Sequence, residues 1–191
     1  MWFLFLGALL AALVLRACWG DREPAQQTPQ SAQPTMVTPS SSTQDQAVWD
    51  RVVGLTADNI SPILRPTTLP AGLDTVTLRE PPNKLDPHLF VVEYSGPEKL
   101  LLVGAGAFNP PPPGPGGYQR VVTVRGQQGI IQVNDAANPK ERVWLWWNEP
   151  GSWVVQAGGR AIDSVFYLVV AEGLDLEEVI AVATSLQPLS P

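Results

Sequence analysis

Hydrophobic and polar positions divide the chain into three textures. Met1 to Leu15 form a run of fifteen residues without a charged side chain. Residues 21–47 are polar: Gln, Thr, Ser and Pro fill 18 of the 27 positions, with prolines at Pro24, Pro29, Pro34 and Pro39. From there on apolar residues recur with a period. In Gln46–Leu55 they fall at Val48, Trp49, Val52, Val53 and Leu55, which predicts a short amphipathic helix with Thr43 or Asp45 as its N-cap. Ile60–Leu73 contains Pro62, Pro66 and Pro70, which forbid a helix and predict an extended lead-in.

Strand signals follow in series. Asp74–Arg79 alternates, with Val76 and Leu78 on one side. His88–Tyr94 and Lys99–Val103 flank the turn cluster Ser95-Gly96-Pro97-Glu98 and read as a hairpin. Gln119–Arg125 and Gly129–Val133 flank Gly126-Gln127-Gln128 and read as a second. Arg142–Trp147 and Ser152–Val155 flank Asn148-Glu149-Pro150-Gly151 and read as a third. Asp163–Val170 is the last long strand. Short connections favour antiparallel pairing. At the end, Leu176, Val179, Ile180, Ala183 and Leu186 share one helical stripe. Asp175 and Glu178 have capping-box spacing, and Pro188 stops the helix. The expected fold is α+β: a curved antiparallel sheet of about six to eight strands, with a short N-terminal helix and a C-terminal helix packed on it. A C-terminal helix of about eleven residues is too short to stand alone, so the sheet must hold it.

Composition narrows the function. A net charge of −6 lacks the basic footprint of a nucleic-acid binder. One Cys and one His exclude an internal disulfide and leave too few soft ligands for a zinc site. The polar run 21–47 has too little apolar surface to offset the entropy of ordering, and reads as a tether. The opening apolar run would make a helix of about 22 Å, short of the roughly 30 Å hydrocarbon core, which fits a signal peptide.

That run ends in Leu15-Arg16-Ala17-Cys18, which resembles the bacterial lipobox. Leu15 and Ala17 match its pattern and Arg16 departs from it. The resemblance implies cleavage before Cys18 and lipid attachment to its thiol. An uncleaved signal anchor, and a secreted product cut near Ala17 or Gly20, are the alternatives. All three readings put the rest of the chain outside the cytoplasm. The domain expectation is a signal peptide at 1–17, a tether at 18–47 and one α+β domain at 48–191. The stretch from Trp49 to Pro188 resembles a domain family of unknown function in exported bacterial proteins. It is similar in fold to the lipoprotein carriers of the outer-membrane lipoprotein pathway and to the sensor domains of periplasmic sigma-factor regulators. Three segments carry this resemblance. They are the Arg65-Pro66-x-x-Leu69-Pro70-x-Gly72 entry, the Val143-Trp144-Leu145-Trp146-Trp147 strand, and the Gly173-Leu174-x-x-Glu177-Glu178-x-x-x-x-Ala183-x-Ser185-Leu186 ending.

Catalytic chemistry finds little footing. His88 is the single histidine, and no Gly-x-Ser-x-Gly elbow occurs. Gly104-Ala105-Gly106 lacks the third glycine and the following helix of a dinucleotide fingerprint. No Asp-x-Asp-x-Asp-Gly calcium loop appears. The expectation is a protein without catalytic activity, cofactor or metal. Two features stand out instead. Gly104–Gly117 holds five prolines in six positions, read as a stiff loop shielding a sheet edge or as a lid over the concave face. Trp144, Trp146, Trp147 and Trp153 cluster within ten residues, and strand alternation puts Trp144 and Trp146 opposite Val143, Leu145 and Trp147. Core packing and an apolar groove for an acyl chain or peptide both fit this cluster. The expected ligand or partner surface is Trp144, Trp146 and Trp153, with Tyr118 and Phe108 at the Pro-rich rim. The functional expectation is a binding or accessory lipoprotein tethered to the extracytoplasmic face of the membrane through Cys18, holding a hydrophobic ligand or an envelope protein partner. The second expectation is an envelope sensor or interaction module with no small-molecule pocket.

Overall fold

The computed structural model describes residues 35–38, 43–56, 58–79, 88–106, 109–155 and 160–189. The signal peptide, Cys18, most of the tether and Phe108 lie outside the described residues. The elements in chain order are β1 (Met36–Val37), α1 (Thr43–Thr56), β2 (Ile60–Ser61), β3 (Leu64–Pro66), β4 (Leu69–Pro70), β5 (Thr75–Arg79), β6 (His88–Ser95), β7 (Leu100–Gly106), β8 (Tyr118–Val124), β9 (Gln127–Val133), β10 (Val143–Val155), β11 (Arg160–Glu172), α2 (Leu176–Ser185) and β12 (Leu186–Pro188). Described structure occurs inside the expected tether 18–47. Met36 and Val37 pair with Pro70 and Leu69, and α1 begins at Thr43. Two backbone pairings and the side chain of Asp45 offset the ordering cost that the bare composition leaves uncovered.

The main sheet is antiparallel and open, with the order β5-β6-β7-β11-β10-β9-β8, and β2 pairs with β10 off that path. Two meanders, β5–β7 and β8–β11, join where β11 returns to lie beside β7. The β8–β9 hairpin turns on Arg125 and Gly126, with φ of 50° and 81°, the left-handed pair that a two-residue hairpin requires.

The segment Asn148-Glu149-Pro150-Gly151 does not make the expected third hairpin. β10 runs straight through it, paired with β11 from Val143↔Ala171 to Pro150↔Ser164, and resumes at Trp153↔Ile162 after a bulge. On its other side β9 pairs only up to Trp147, and β2 pairs only at Ser152 and Trp153. Pro150 thus sits in a gap where no strand pairs on that side, a place a proline tolerates. A Cβ at Gly151 would come within 2.4 Å of the Ser61 carbonyl, so the approach of β2 requires a glycine there.

Direct cross-strand partners share a face, and the core side takes the odd positions of β7, β10 and β11 and the even positions of β5 and β6. Leu101, Val103, Ala105, Val143, Leu145, Trp147, Val165, Tyr167 and Val169 are buried with Trp49 and Val52 of α1 and with Val179, Val182 and Ala183 of α2. Leu186 and the lead-in residues Ile63 and Leu64 close its end. α2 is capped by Asp175 in a capping box, the Glu178 carboxylate accepting from the Asp175 N–H at 2.8 Å. Among the described residues no helix is long and apolar enough to cross a membrane.

Candidate functional site

The face away from this core carries the clearest functional geometry. One row across the sheet is Val121, Ile130, Trp146, Leu168 and Gly104; the next is Gln119, Gln132, Trp144, Val170 and Leu102. Leu168 and Val170 are 6% and 5% exposed yet stand outside the helix-side core cluster. The described part of the Pro-rich connection from β7 to β8 is fastened to this face. It leaves β7 beside β11 and must reach the far edge strand, and Gln132 ties it down on the way: the Gln132 side chain, wholly buried, donates to the Pro111 carbonyl at 3.0 Å. Gln119 donates to Gln132 Oε1 at 2.5 Å. The Gly114 N–H donates to Asn134 Oδ1 at 3.2 Å. At Gly117 an added Cβ would lie 2.5 Å from the Asn134 carbonyl, so the strap lands tightly against the end of β9. Trp144 and Trp146 remain half-buried, and Val121 at the sheet edge is 68% exposed.

The expected site residues divide. Trp144 and Trp146 lie side by side on the strapped face. Trp153 does not join them: it pairs with Ile60 as well as Ile162, and the flanking β2 closes it into the helix-side core at 9% exposed. Tyr118 is 38% exposed, but it pairs with Val133, which pairs with Val143, and so stands on the core side of the sheet. Val121 takes the edge position assigned to Tyr118. Gln132 had no sequence signal at all, since an amide in Gly129-Ile130-Ile131-Gln132-Val133 reads as an exposed alternation.

Two polar networks lie inside the core. In the first, Trp49 Nε1 donates to the Tyr94 hydroxyl at 2.8 Å, and that hydroxyl donates to Asp45 Oδ1 at 3.3 Å. Arg65 pairs with Asp45 and donates to Gln46 Oε1 at 3.0 Å. Burial pushes the Tyr94 hydroxyl well above the usual phenol range, and the Asp45 charge adds to the push. In the second, Arg125 Nε donates to Glu149 Oε1 at 2.6 Å, and Trp147 Nε1 donates to the same oxygen at 2.9 Å. Arg125 also donates to the Leu186 carbonyl, holding the chain after α2. Trp147 stacks on Tyr167 with centroids 5.6 Å apart, and the Tyr167 hydroxyl donates to the Pro62 carbonyl at 2.5 Å. Burial again raises the Tyr167 hydroxyl, with Glu149 adding.

His88 opens β6. Among the described residues no group of three His, Cys, Asp or Glu side chains is placed to hold a metal ion. Comparison with family models, curated proteins and solved structures finds no match for this chain.

Proposed function

We propose that the protein is a binding or accessory lipoprotein without catalytic activity, tethered through Cys18 to the extracytoplasmic face of the membrane. Its folded domain holds an acyl chain or an apolar peptide segment against the strapped face of a curved sheet, with a helix from each end of the domain on the opposite face. The observation that carries the reading is a second apolar sheet face, separate from the helix-covered core. There Trp144 and Trp146 are half-buried, Gln132 beside Trp144 holds a proline-stiffened strap, and Val121 stands open at the edge. A largely apolar surface is the ordinary chemistry of such a site, and the amides of Gln119 and Gln132 serve to hold each other and the strap beside it. The lipobox-like Leu15-Arg16-Ala17-Cys18 carries the anchoring part of the reading, and the resemblance to the lipoprotein-carrier fold belongs to the same proposal.

The near-complete cover over Leu168 and Val170 favours a second reading. In it the strap is closed for good, and the domain is an envelope sensor that meets its partner through the exposed edge of β8. Mass spectrometry of the full chain, extracted gently from its native membrane, tests the first reading. The expected result is an N-terminal diacylglyceryl mass at Cys18 and a co-purifying apolar ligand. Cys18→Ser is expected to lose the lipid mass and leave the membrane fraction. Unchanged acyl labelling in that variant contradicts the anchor, and ligand-free protein at native concentrations favours the sensor.

A further inference from the structure

The two edges of the main sheet are finished differently. β5 is five residues long and α1 meets it, Gln44 donating to the Val76 carbonyl at 3.1 Å. β8 is seven residues long and ends the strand order on the other side, where no strand pairs with it among the described residues. It runs in unbroken register with β9 from Tyr118↔Val133 to Val124↔Gln127, without proline or bulge. Lysine, proline and bulges are the usual guards of an edge strand, which otherwise presents a row of unpaired N–H and C=O groups. Val121 and Tyr118 are two of the four large apolar side chains that stand exposed among the described residues.

Charge decides what pairs there. Arg120 is exposed near the middle of the strand, and no ion pair among the described residues involves it. Tyr118–Val124 contains no acid. A second copy lying along β8 therefore cannot meet Arg120 with a counter-charge in any register, and one register sets Arg120 on Arg120, which is destabilising. A different segment with an acid opposite Arg120 gains where the second copy loses. Alternation sets the rest: Gln119, Val121 and Thr123 point to the strapped face, and Arg120 and Val122 to the core side. We infer that the free edge of β8 binds an extended peptide of a partner protein by strand addition, antiparallel as in the pairing with β9. Five residues of the peptide lie opposite Gln119–Thr123. Read from the one opposite Thr123, they are polar, apolar, apolar, acidic and polar. The central residue packs against Val121, and the acidic one pairs with Arg120. This names the partner chemistry of the proposed binding role and rests on that role.

Isothermal titration calorimetry of the full chain in a neutral maltoside detergent, at pH 7, tests the inference. The probe is the end-capped peptide Ser-Thr-Val-Val-Glu-Thr-Ser, with a Lys-for-Glu peptide as the charge control and a detergent-only blank. A third peptide carries N-methyl groups on both valines. Successive N–H groups of a strand face opposite sides, so one of the two lost donors faces β8 in either phase. The expected result is one site with Kd of about 1 mM or tighter for the Glu peptide. The Lys peptide should bind about fivefold more weakly, and the methylated one at least about tenfold more weakly. Arg120→Glu alters only an exposed side chain and should reverse the preference to the Lys peptide, with the unfolding midpoint of the parent. No binding at millimolar probe, equal affinity for the Glu and Lys peptides, or an unreversed preference in Arg120→Glu overturns the inference. So does a dimer in sedimentation that Val121→Arg dissolves, which puts a second copy on the edge. An acyl chain co-purifying from the native membrane, with no peptide binding, overturns this inference and leaves the proposed function standing; charge-dependent peptide binding by protein without N-terminal lipid or native ligand does the reverse.

Discussion

Removing the Glu149 carboxylate should destabilise the domain far more than removing any surface acid. Glu149 is 8% exposed, and its Oε1 accepts from both Arg125 and Trp147. In Glu149→Ala the indole N–H of a wholly enclosed Trp147 loses its acceptor, which costs about 1–3 kcal/mol. Among the described residues the Arg125 guanidinium then keeps the Leu186 carbonyl alone. A buried charge stripped of its partner costs about 3–5 kcal/mol, and the 19% exposure of the Arg125 side chain puts this case at or below the low end. The two losses overlap on one oxygen, so the sum is about 3 kcal/mol rather than 6. A domain of this size holds about 7–15 kcal/mol and stays folded. With a urea slope of about 2 kcal/mol per molar, the midpoint falls by about 1.5 M. Glu149→Gln retains an acceptor for Trp147 and should lose about half as much. Glu172→Ala supplies the contrast. Its ion pair with Arg142 has side chains 37% and 50% exposed and is worth less than about 1 kcal/mol. Urea unfolding followed by tryptophan fluorescence measures all three. A Glu149→Ala midpoint no lower than that of Glu172→Ala refutes the reasoning.

The remaining predictions concern pH and glycine. Tyr94 and Tyr167 are both held above the ordinary phenol value of 10.0, so the unfolded chain loses these protons first as pH rises. Their stability contribution is complete below about pH 10 and is lost progressively as the pH rises above it. Urea midpoints at about pH 9 and 11 should show this loss, and Tyr94→Phe should roughly halve it; an unchanged pH slope in that variant contradicts the assignment. Gly54 lies in α1 with nothing within 4 Å of an added Cβ, so Gly54→Ala should stabilise by about 0.5–1 kcal/mol. Gly117→Ala would drive a methyl into the Val133 and Asn134 carbonyls at 2.6 and 2.5 Å and should cost more than about 1 kcal/mol. Calorimetric melting that moves the two variants in the same direction would contradict this.

Much of the sheet was legible because its signal is local. Alternation in Thr75–Arg79 and His88–Ser95, and the turn chemistry at Gly96 and Gly126, depend only on near neighbours. The Asp175–Glu178 capping box was legible for the same reason. What failed depended on partners far along the chain. Asn148-Glu149-Pro150-Gly151 has turn composition, yet β11 pairs along it and Arg125 and Trp147 use its glutamate. Trp144 and Trp146 were separable from Trp147 by parity alone. Trp153 was not, because its surroundings depend on a bulge and on β2, some ninety residues earlier. The face of Tyr118 was not legible either, because it depends on the register that pairs it with Val133. Polar composition cannot reveal that Met36 and Val37, inside the expected tether, find backbone partners at Leu69–Pro70.

The central claim is that the strapped face, and not the core side, meets an apolar partner. A photo-reactive p-benzoylphenylalanine at position 121 tests it most directly, with the same group at position 118 as the control. Val121 is 68% exposed on the strapped face and Tyr118 is 38% exposed on the opposite one, three residues away on the same edge strand. Irradiation of the full chain in its native membrane, followed by mass spectrometry of the adducts, should find a single lipid or peptide adduct at 121 and none at 118. Equal labelling at both positions, or adducts at 118 alone, would contradict the account.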